Sequence, residues 1–413
     1  MNDRNRHKNR IKLSLLLACA GLSAMLLSGC TVESAVTGTI DRINLVSEKL
    51  DLPAIPTPVV VEEELPEVQP LEEDSFYRYY KTLLDAEEND LYEQIRSAVA
   101  TRADSIHLEV RDLDRLLELA GYVRDDNPEY FWFTEGSKAV GYEKEGTYYI
   151  DLQFVYNCTE AEQTRYQKEL DAVCNPVVAK LANLTDYEKV RGVYEYIINS
   201  TTYDESYTDQ SCYSVLLHRR GVCAGYTNAT NYLLRKLGVQ TIYVSGTAKD
   251  QEHCWSLVKV NGSWYHLDTT WGDPVREDGQ EVITYICFLT TDEDIKLDHT
   301  ISAKTPKLPS CSSMGCNFYV WQGRYLDSMD YDYISRMLTD AASRKEVLEF
   351  KCSNQKVFEA IVNYLFTEDG LWTATSFAHY YYPNFDQYQV AYSIDEVHHV
   401  VRISPNYSDG TQG

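Results

Sequence analysis

His253-Cys254-Trp255-Ser256-Leu257-Val258-Lys259-Val260, then Asn261-Gly262, then Ser263-Trp264-Tyr265-His266-Leu267-Asp268: two alternating runs joined by Asn-Gly predict a β-hairpin closed by a two-residue type I′ turn. In that register Val260 faces Ser263, and Trp255 stands opposite Asp268. Side chains alternate along a strand. His253, two residues before Trp255, therefore shares a face with Asp268 and lies diagonal to it, at roughly 7 Å between backbones. An imidazole and a carboxylate so placed can hydrogen-bond. A type I turn with a bulge would shift the register by one residue and separate them.

The pair needs a nucleophile, and Gly221-Val222-Cys223-Ala224-Gly225-Tyr226 lies upstream of it. A helix is expected from about Val222 to Leu237, with Val222, Tyr226, Ala229, Leu233 and Leu237 on one stripe and Gly238 as the stop. Cys223 falls in its first turn, where unpaired N–H groups and the macrodipole favour a thiolate. Gly221 and Gly225 are expected to leave room for a substrate backbone. Taken alone, Cys223 reads equally well as a small buried hydrophobe at a helix start. Taken with His253 and Asp268, it completes a set of thiolate, general base and orienting carboxylate. His266, of the same parity as Asp268, and His218, close before Cys223, are the competing bases.

These segments, with Thr269-Thr270-Trp271-Gly272-Asp273-Pro274 after the hairpin and a helix-like Tyr187 to Tyr203 before the cysteine, closely resemble the transglutaminase-like superfamily in its bacterial secreted branch. The likeness runs over roughly residues 180 to 300. It implies an α+β, papain-like core with Cys223 as nucleophile, His253 as base and Asp268 as orienting acid, and it selects the unbulged register. Cys254 departs from the family pattern, where alanine is more usual, and is open to oxidation beside the site. Trp271 and Pro274 are expected to shape the turn that leaves the strand. The family holds hydrolases, amine-transferring cross-linkers and inactive members. Hydrolysis is favoured here, since water is always at hand and nothing in the chain marks an amine site. Cross-linking, or an inactive lipid-anchored binding or adhesion protein, are the alternatives.

The chain has 413 residues, room for two or three domains of about 150 residues each. Residues 1–29 read as an export signal: Arg4, Arg6, Lys8, Arg10 and Lys12 precede an apolar run from Leu13 to Leu27 that is too short for an ordinary membrane span. Leu27-Ser28-Gly29-Cys30 resembles a bacterial lipobox, with Cys30 lipidated after cleavage and the protein held on the outer face of the cell membrane. Residues 30–74 mix prolines with glutamates and read as an extended tether. Residues 75–157 are expected to form an N-terminal α+β unit of two helices and a hairpin about Lys144-Glu145-Gly146, with Tyr130 to Phe133 as core. Residues 158–303 hold the catalytic domain, opened by helices Glu160 to Leu181 and Asp186 to Ile198, the latter with a capping box at Thr185 and Glu188. Residues 304–413 are expected to form a small α+β domain with a strand at Phe318 to Leu326. Adjacent His398 and His399 are read as strand residues on opposite faces, which argues against a joint metal site.

A net charge of −25 repels nucleic acid and anionic surfaces, so neither is an expected partner. The partner implied by the family likeness is a peptide or protein, in the cell wall or on a surface. Eleven cysteines leave an even number once Cys19, Cys30 and Cys223 are set aside; Cys311 and Cys316 permit a small disulfide without requiring one. No spacing resembles a zinc site or a calcium loop, and no cofactor is expected. The 33 tyrosines hint at stacking surfaces for carbohydrate or peptide.

Overall fold

The computed structural model describes residues 71, 74–134, 136–144, 146–274 and 283–407; the export signal, Cys30 and nearly all of the tether lie outside them. The described residues divide into two compact units, one of Ala86–Gly121 with Glu135–Val155, the other of Glu73–Asp85, Tyr122–Thr134 and everything from Tyr156 onward. Among the described residues no helix is long and apolar enough to cross a membrane.

The first unit contains α1 (Ala86–Ala100), β1 (Ser105–Leu108), most of α2 (Leu113–Asp126), β2 (Ser137–Lys144) and β3 (Thr147–Phe154). The expected hairpin is present, with Lys144 paired to Thr147 and Gly146 at φ 86°. Its sheet runs β1-β3-β2, all antiparallel, and buries Ile106, Leu108, Ile150 and Leu152. The short β1 was not anticipated, because four residues carry too little alternation to stand out.

The second unit continues with α3 (Glu160–Leu181), α4 (Asp186–Ser200), β4 (Thr202–Tyr203), α5 (Cys212–Leu216), β5 (Arg220–Gly221) and α6 (Cys223–Lys236). Capping boxes start α3 at Thr159 and Glu162 and α4 at Thr185 and Glu188. Both boxes satisfy two backbone donors that would otherwise be orphaned. Phe131, Trp132 and Phe133 are buried, as expected of core residues. A five-stranded antiparallel sheet follows from β6 (Thr241–Ala248), β7 (Gln251–Val260), β8 (Ser263–Leu267), β9 (Phe288–Thr290) and, after helix α7 (Asp292–Ile295), β10 (His299–Ile301). Its order is β10-β6-β7-β8-β9. Val260 pairs with Ser263 and Ser256 with Leu267, the register of the type I′ reading. Asn261 and Gly262 both take positive φ, 50° and 84°, as that turn demands.

The C-terminal stretch adds α8 (Phe318–Trp321), β11 (Tyr325–Leu326), α9 (Tyr331–Arg344), β12 (Leu348–Cys352), α10 (Gln355–Thr367), α11 (Gly370–Tyr381), β13 (Ala391–Asp395) and β14 (Val400–Ser404). Its sheet runs β11-β12-β14-β13 over a core that includes Leu338, Phe350, Phe358, Ile361 and Val401. One expectation fails here, and one helix was not anticipated. Phe318 to Trp321 is a helical turn rather than strand, because the Asn317 side chain accepts the Tyr319 N–H at 3.1 Å and starts it. Helix α11 escaped notice because its buried face is Gly370, Ala374 and Ala378 while Trp372, Phe377 and Tyr380 face outward, so the usual apolar stripe is inverted.

Gly246 of β6 pairs with His253 on one side and Ile301 on the other. A Cβ there would meet the Thr300 carbonyl oxygen at 2.1 Å and the Trp255 ring at 3.0 Å. Gly246→Ala should therefore push β10 from the sheet and cost about 1–3 kcal/mol in urea unfolding; wild-type stability would show that the strands tolerate the gap.

Candidate active site

Cys223 is the first residue of α6, and Val222, its N-cap, offers no side-chain acceptor to the first turn. The N–H groups there remain directed at whatever approaches the thiol. Three side-chain bonds fix this helix to the hairpin. Thr227 donates to the Cys254 carbonyl at 3.1 Å, Ser256 to Asn231 Oδ1 at 2.8 Å, and the Thr230 and Thr269 hydroxyls meet at 2.8 Å. These bonds hold the start of the helix over the strand, where the Cys223 thiol meets the His253 ring and the Cys254 thiol.

His253 Nε2 meets Asp268 Oδ2 at 2.7 Å, which leaves Nδ1 for the thiol. Burial alone would push the imidazole down, but the Asp268 charge and hydrogen bond, with smaller contributions from Cys223, raise it to about 10. The Cys223 thiol is brought down to about 5, first by the Cys254 thiol acting as donor and then, against burial, by His253. Together these describe a thiolate and imidazolium pair at neutral pH. Cys254 itself is buried and held protonated far above the ordinary thiol range by that burial.

Asp268 follows β8 and is fully buried. Burial would raise its carboxyl, yet His253, and behind it His299, hold it well below the usual carboxylate range. Its Oδ1 accepts the Trp271 N–H at 3.0 Å, and His299 Nε2 reaches Oδ2 at 3.0 Å. The turn at 269–273 is kept tight by Gly272, where a Cβ would fall 2.0 Å from the Tyr194 hydroxyl oxygen. The Trp271 backbone N–H from this turn completes the carboxylate's partners.

The competing histidines are otherwise engaged. His266 Nδ1 accepts from Trp255 Nε1 at 2.9 Å, and its Nε2 meets Asp292 at 2.9 Å. An indole N–H only donates, so His266 is the neutral Nε2–H tautomer and serves as a buried strut. His218 pairs with the Tyr207 hydroxyl at 2.5 Å. Gly221 and Gly225 do not open space for substrate. Added Cβ atoms would strike Val215 at 3.0 Å and Ser214 at 2.8 Å, so these glycines admit α5. His398 and His399 lie in the turn between β13 and β14 rather than on a strand, with His398 near Asp298 and His399 on Gln355. All nine described cysteines, Cys311 and Cys316 included, carry free thiols.

Two clusters bring potential metal donors within 4.8 Å of one another, His253, Asp268 and His299, and His266, Asp292 and Cys311. Hydrogen bonding accounts for both. Two imidazole nitrogens face one oxygen in the first, and Asp292 accepts from His266, Ser310 and the Cys311 N–H in the second. The residue that sequence reasoning missed is His299, the second imidazole on Asp268; a three-residue strand far along the chain gives no periodic signal.

Two outcomes follow. Alkylation of Cys223 should titrate near pH 5, and Cys254→Ala should raise that midpoint by about half to one pH unit, since a thiol donor to the thiolate is lost; an unchanged midpoint would show that the donor is unused. The raised imidazole contributes stability that is complete below the ordinary histidine range and lost as pH climbs through about 10. Urea unfolding should show this alkaline loss in the wild type and a flatter limb in His253→Ala.

The profile of the transglutaminase-like superfamily matches residues 172–269, which include the thiol, the imidazole and the carboxylate. Kyphoscoliosis peptidase of Mus musculus is 24% identical over 120 residues, 25% of this chain and 18% of that protein. Its Homo sapiens counterpart is 27% identical over 106 residues, 21% of this chain and 16% of that one. The chain thus spans under a fifth of the length of these curated relatives. A crystal structure of a TGase overlaps 43% of this chain and 53% of its own at 14% identity, with a TM-score of 0.25. Residues 172–269 match the transglutaminase-like superfamily as a domain within the chain.

Proposed function

We propose that the protein is a thiol hydrolase that cleaves peptide or side-chain amides through Cys223, His253 and Asp268. The observation that carries this reading is the 2.7 Å bond from His253 Nε2 to Asp268 beside a thiol at an uncapped helix start. The Cys223 thiolate attacks the amide carbonyl, and the oxyanion that forms is held by N–H groups of the first turn of α6. His253 Nδ1 gives its proton to the departing amine, leaving a thioester on Cys223. His253 then takes a proton from water, whose oxygen displaces the thiolate and releases the acid. Asp268 keeps Nδ1 aimed at the sulfur throughout. With Cys30 lipidated and residues 30–74 as a tether, the enzyme would work on wall or surface proteins outside the cell. A primary amine in place of water would make it a cross-linking acyltransferase.

Site-resolved iodoacetamide labelling near pH 6 tests the thiol. Cys223 should react much faster than Cys311 or Cys352, whose thiols burial pushes well above the ordinary thiol range, and should slow at least tenfold in His253→Ala. Incubation with a peptide mixture and a tagged primary amine then separates the chemistries: new acid termini without tag support hydrolysis, incorporated tag supports transfer. Labelling no faster than at the buried thiols would point to a non-catalytic surface protein.

A further inference from the structure

Imidazoles and carboxylates alternate from the site to the C-terminal sheet. His253 meets Asp268 at 2.7 Å, Asp268 meets His299 at 3.0 Å, and His299 Nδ1 meets Asp298 Oδ1 at 2.5 Å. Asp298 Oδ2 faces His398 Nε2 at 3.2 Å, an ion pair lying off the line of a hydrogen bond, and His398 Nδ1 reaches Asp395 at 3.2 Å. Side-chain exposure is 7% or less at every member except Asp395, at 35%. The turn that presents His398 is itself held, because Lys351 Nζ donates to the His398 carbonyl at 3.0 Å and pairs with Asp294 at 3.0 Å. Asp298, Asp395 and His398 line a cavity of about 590 Å³ that Trp271, Lys249 and Lys296 also border.

His299 lies between two carboxylates, and a carboxylate only accepts. Both its nitrogens therefore carry protons, and the ring is a cation. Asp268 consequently serves two imidazolium rings with one oxygen. We propose that His299, Asp298 and His398 are positioning residues for the triad: His299 fixes the Asp268 carboxylate and shares its charge, while His398, brought by the C-terminal turn, holds His299 through Asp298. The proposal rests on the thiol reading above.

The charges support it. Burial would lower both rings, yet Asp268 and Asp298 raise His299, and Asp298 and Asp395 raise His398 to about 9. Burial would raise Asp298, yet His299 and His398 hold it near 2. Further charged or titratable groups around these rings are His253, His266 and Lys296, Lys351 with its partner Asp294, the adjacent His399, and Lys249, Asp250 and Glu396 at the cavity. Loss of the His299 cation takes favourable charge from the vicinity of the thiolate and frees Asp268 to move. Both effects raise the Cys223 pKa.

The test is iodoacetamide alkylation of Cys223 in the full chain between about pH 4 and pH 9, for wild type, His299→Gln, His398→Gln and Arg402→Met. Arg402 bonds the Ile283 carbonyl at 2.8 Å and pairs with Glu349 at 3.1 Å, outside the alternating series, so its loss lowers the melting temperature alone. His299→Gln should move the thiolate midpoint up by about one unit, a roughly fivefold slower reaction at the wild-type midpoint, with the rate at pH 9 within about twofold. His398→Gln should move it the same way by less, and Arg402→Met not at all. If either histidine variant fails to fold, Asp395→Asn takes its place with a small upward shift expected. A wild type without a reactive thiolate below pH 7 would sink the thiol reading. A wild-type midpoint near pH 5 kept within about 0.2 unit by every folded variant would overturn this inference alone.

Discussion

A carboxylate with no exposed surface has to be paired from every side, because an unpaired buried charge costs several kcal/mol even after the protein relaxes. Asp268 is such a group, and the second unit is arranged around satisfying it. The β7 and β8 hairpin brings His253, the tight turn after β8 brings the Trp271 N–H, and β10 brings His299. Each partner comes from a different part of the sheet, so the carboxylate enforces their mutual placement. The same pairing keeps the imidazole charged, and the charged imidazole in turn favours the thiolate.

The thiol depends on a second constraint, the polar stitching between α6 and the hairpin. Thr227 and Asn231 meet strand residues and Thr230 meets Thr269 in the turn after β8, pairing buried hydroxyl and carbonyl groups. Because buried polar groups are costly when unpaired, the helix has one favourable register on the sheet. Glycines at 221, 225 and 246 serve the same end by letting α5 and β10 approach closely. Close packing here delivers precise placement, which a reactive cysteine needs more than it needs a strong base.

Much of this was legible in the residues. The Asn-Gly turn set the hairpin register, and with it the shared face of His253 and Asp268, because strand alternation has a period of two and a slip would expose the apolar set. The capping box at Thr185 marked a helix start through local hydrogen bonds alone. Helix α11, with its small buried face, and the helical turn at Phe318 were hidden, since burial there follows from neighbours rather than from periodicity. The roles of Gly221 and Gly225 were misread for the same reason: a missing side chain shows that space is needed, not what fills it.

By itself the sequence determined the hairpin, the helix that begins at Cys223, and the chemical types of the thiol, imidazole and carboxylate. Those follow from local periodicity, turn chemistry and capping, which act over a few residues. Only the tertiary structure decided that His266 is a neutral strut, that His299 is the second partner of Asp268, and that His398 stands at the far end of the same series. These assignments turn on which donors meet which acceptors across segments distant in the chain, and only the folded core, where every buried polar atom must find a partner, settles them.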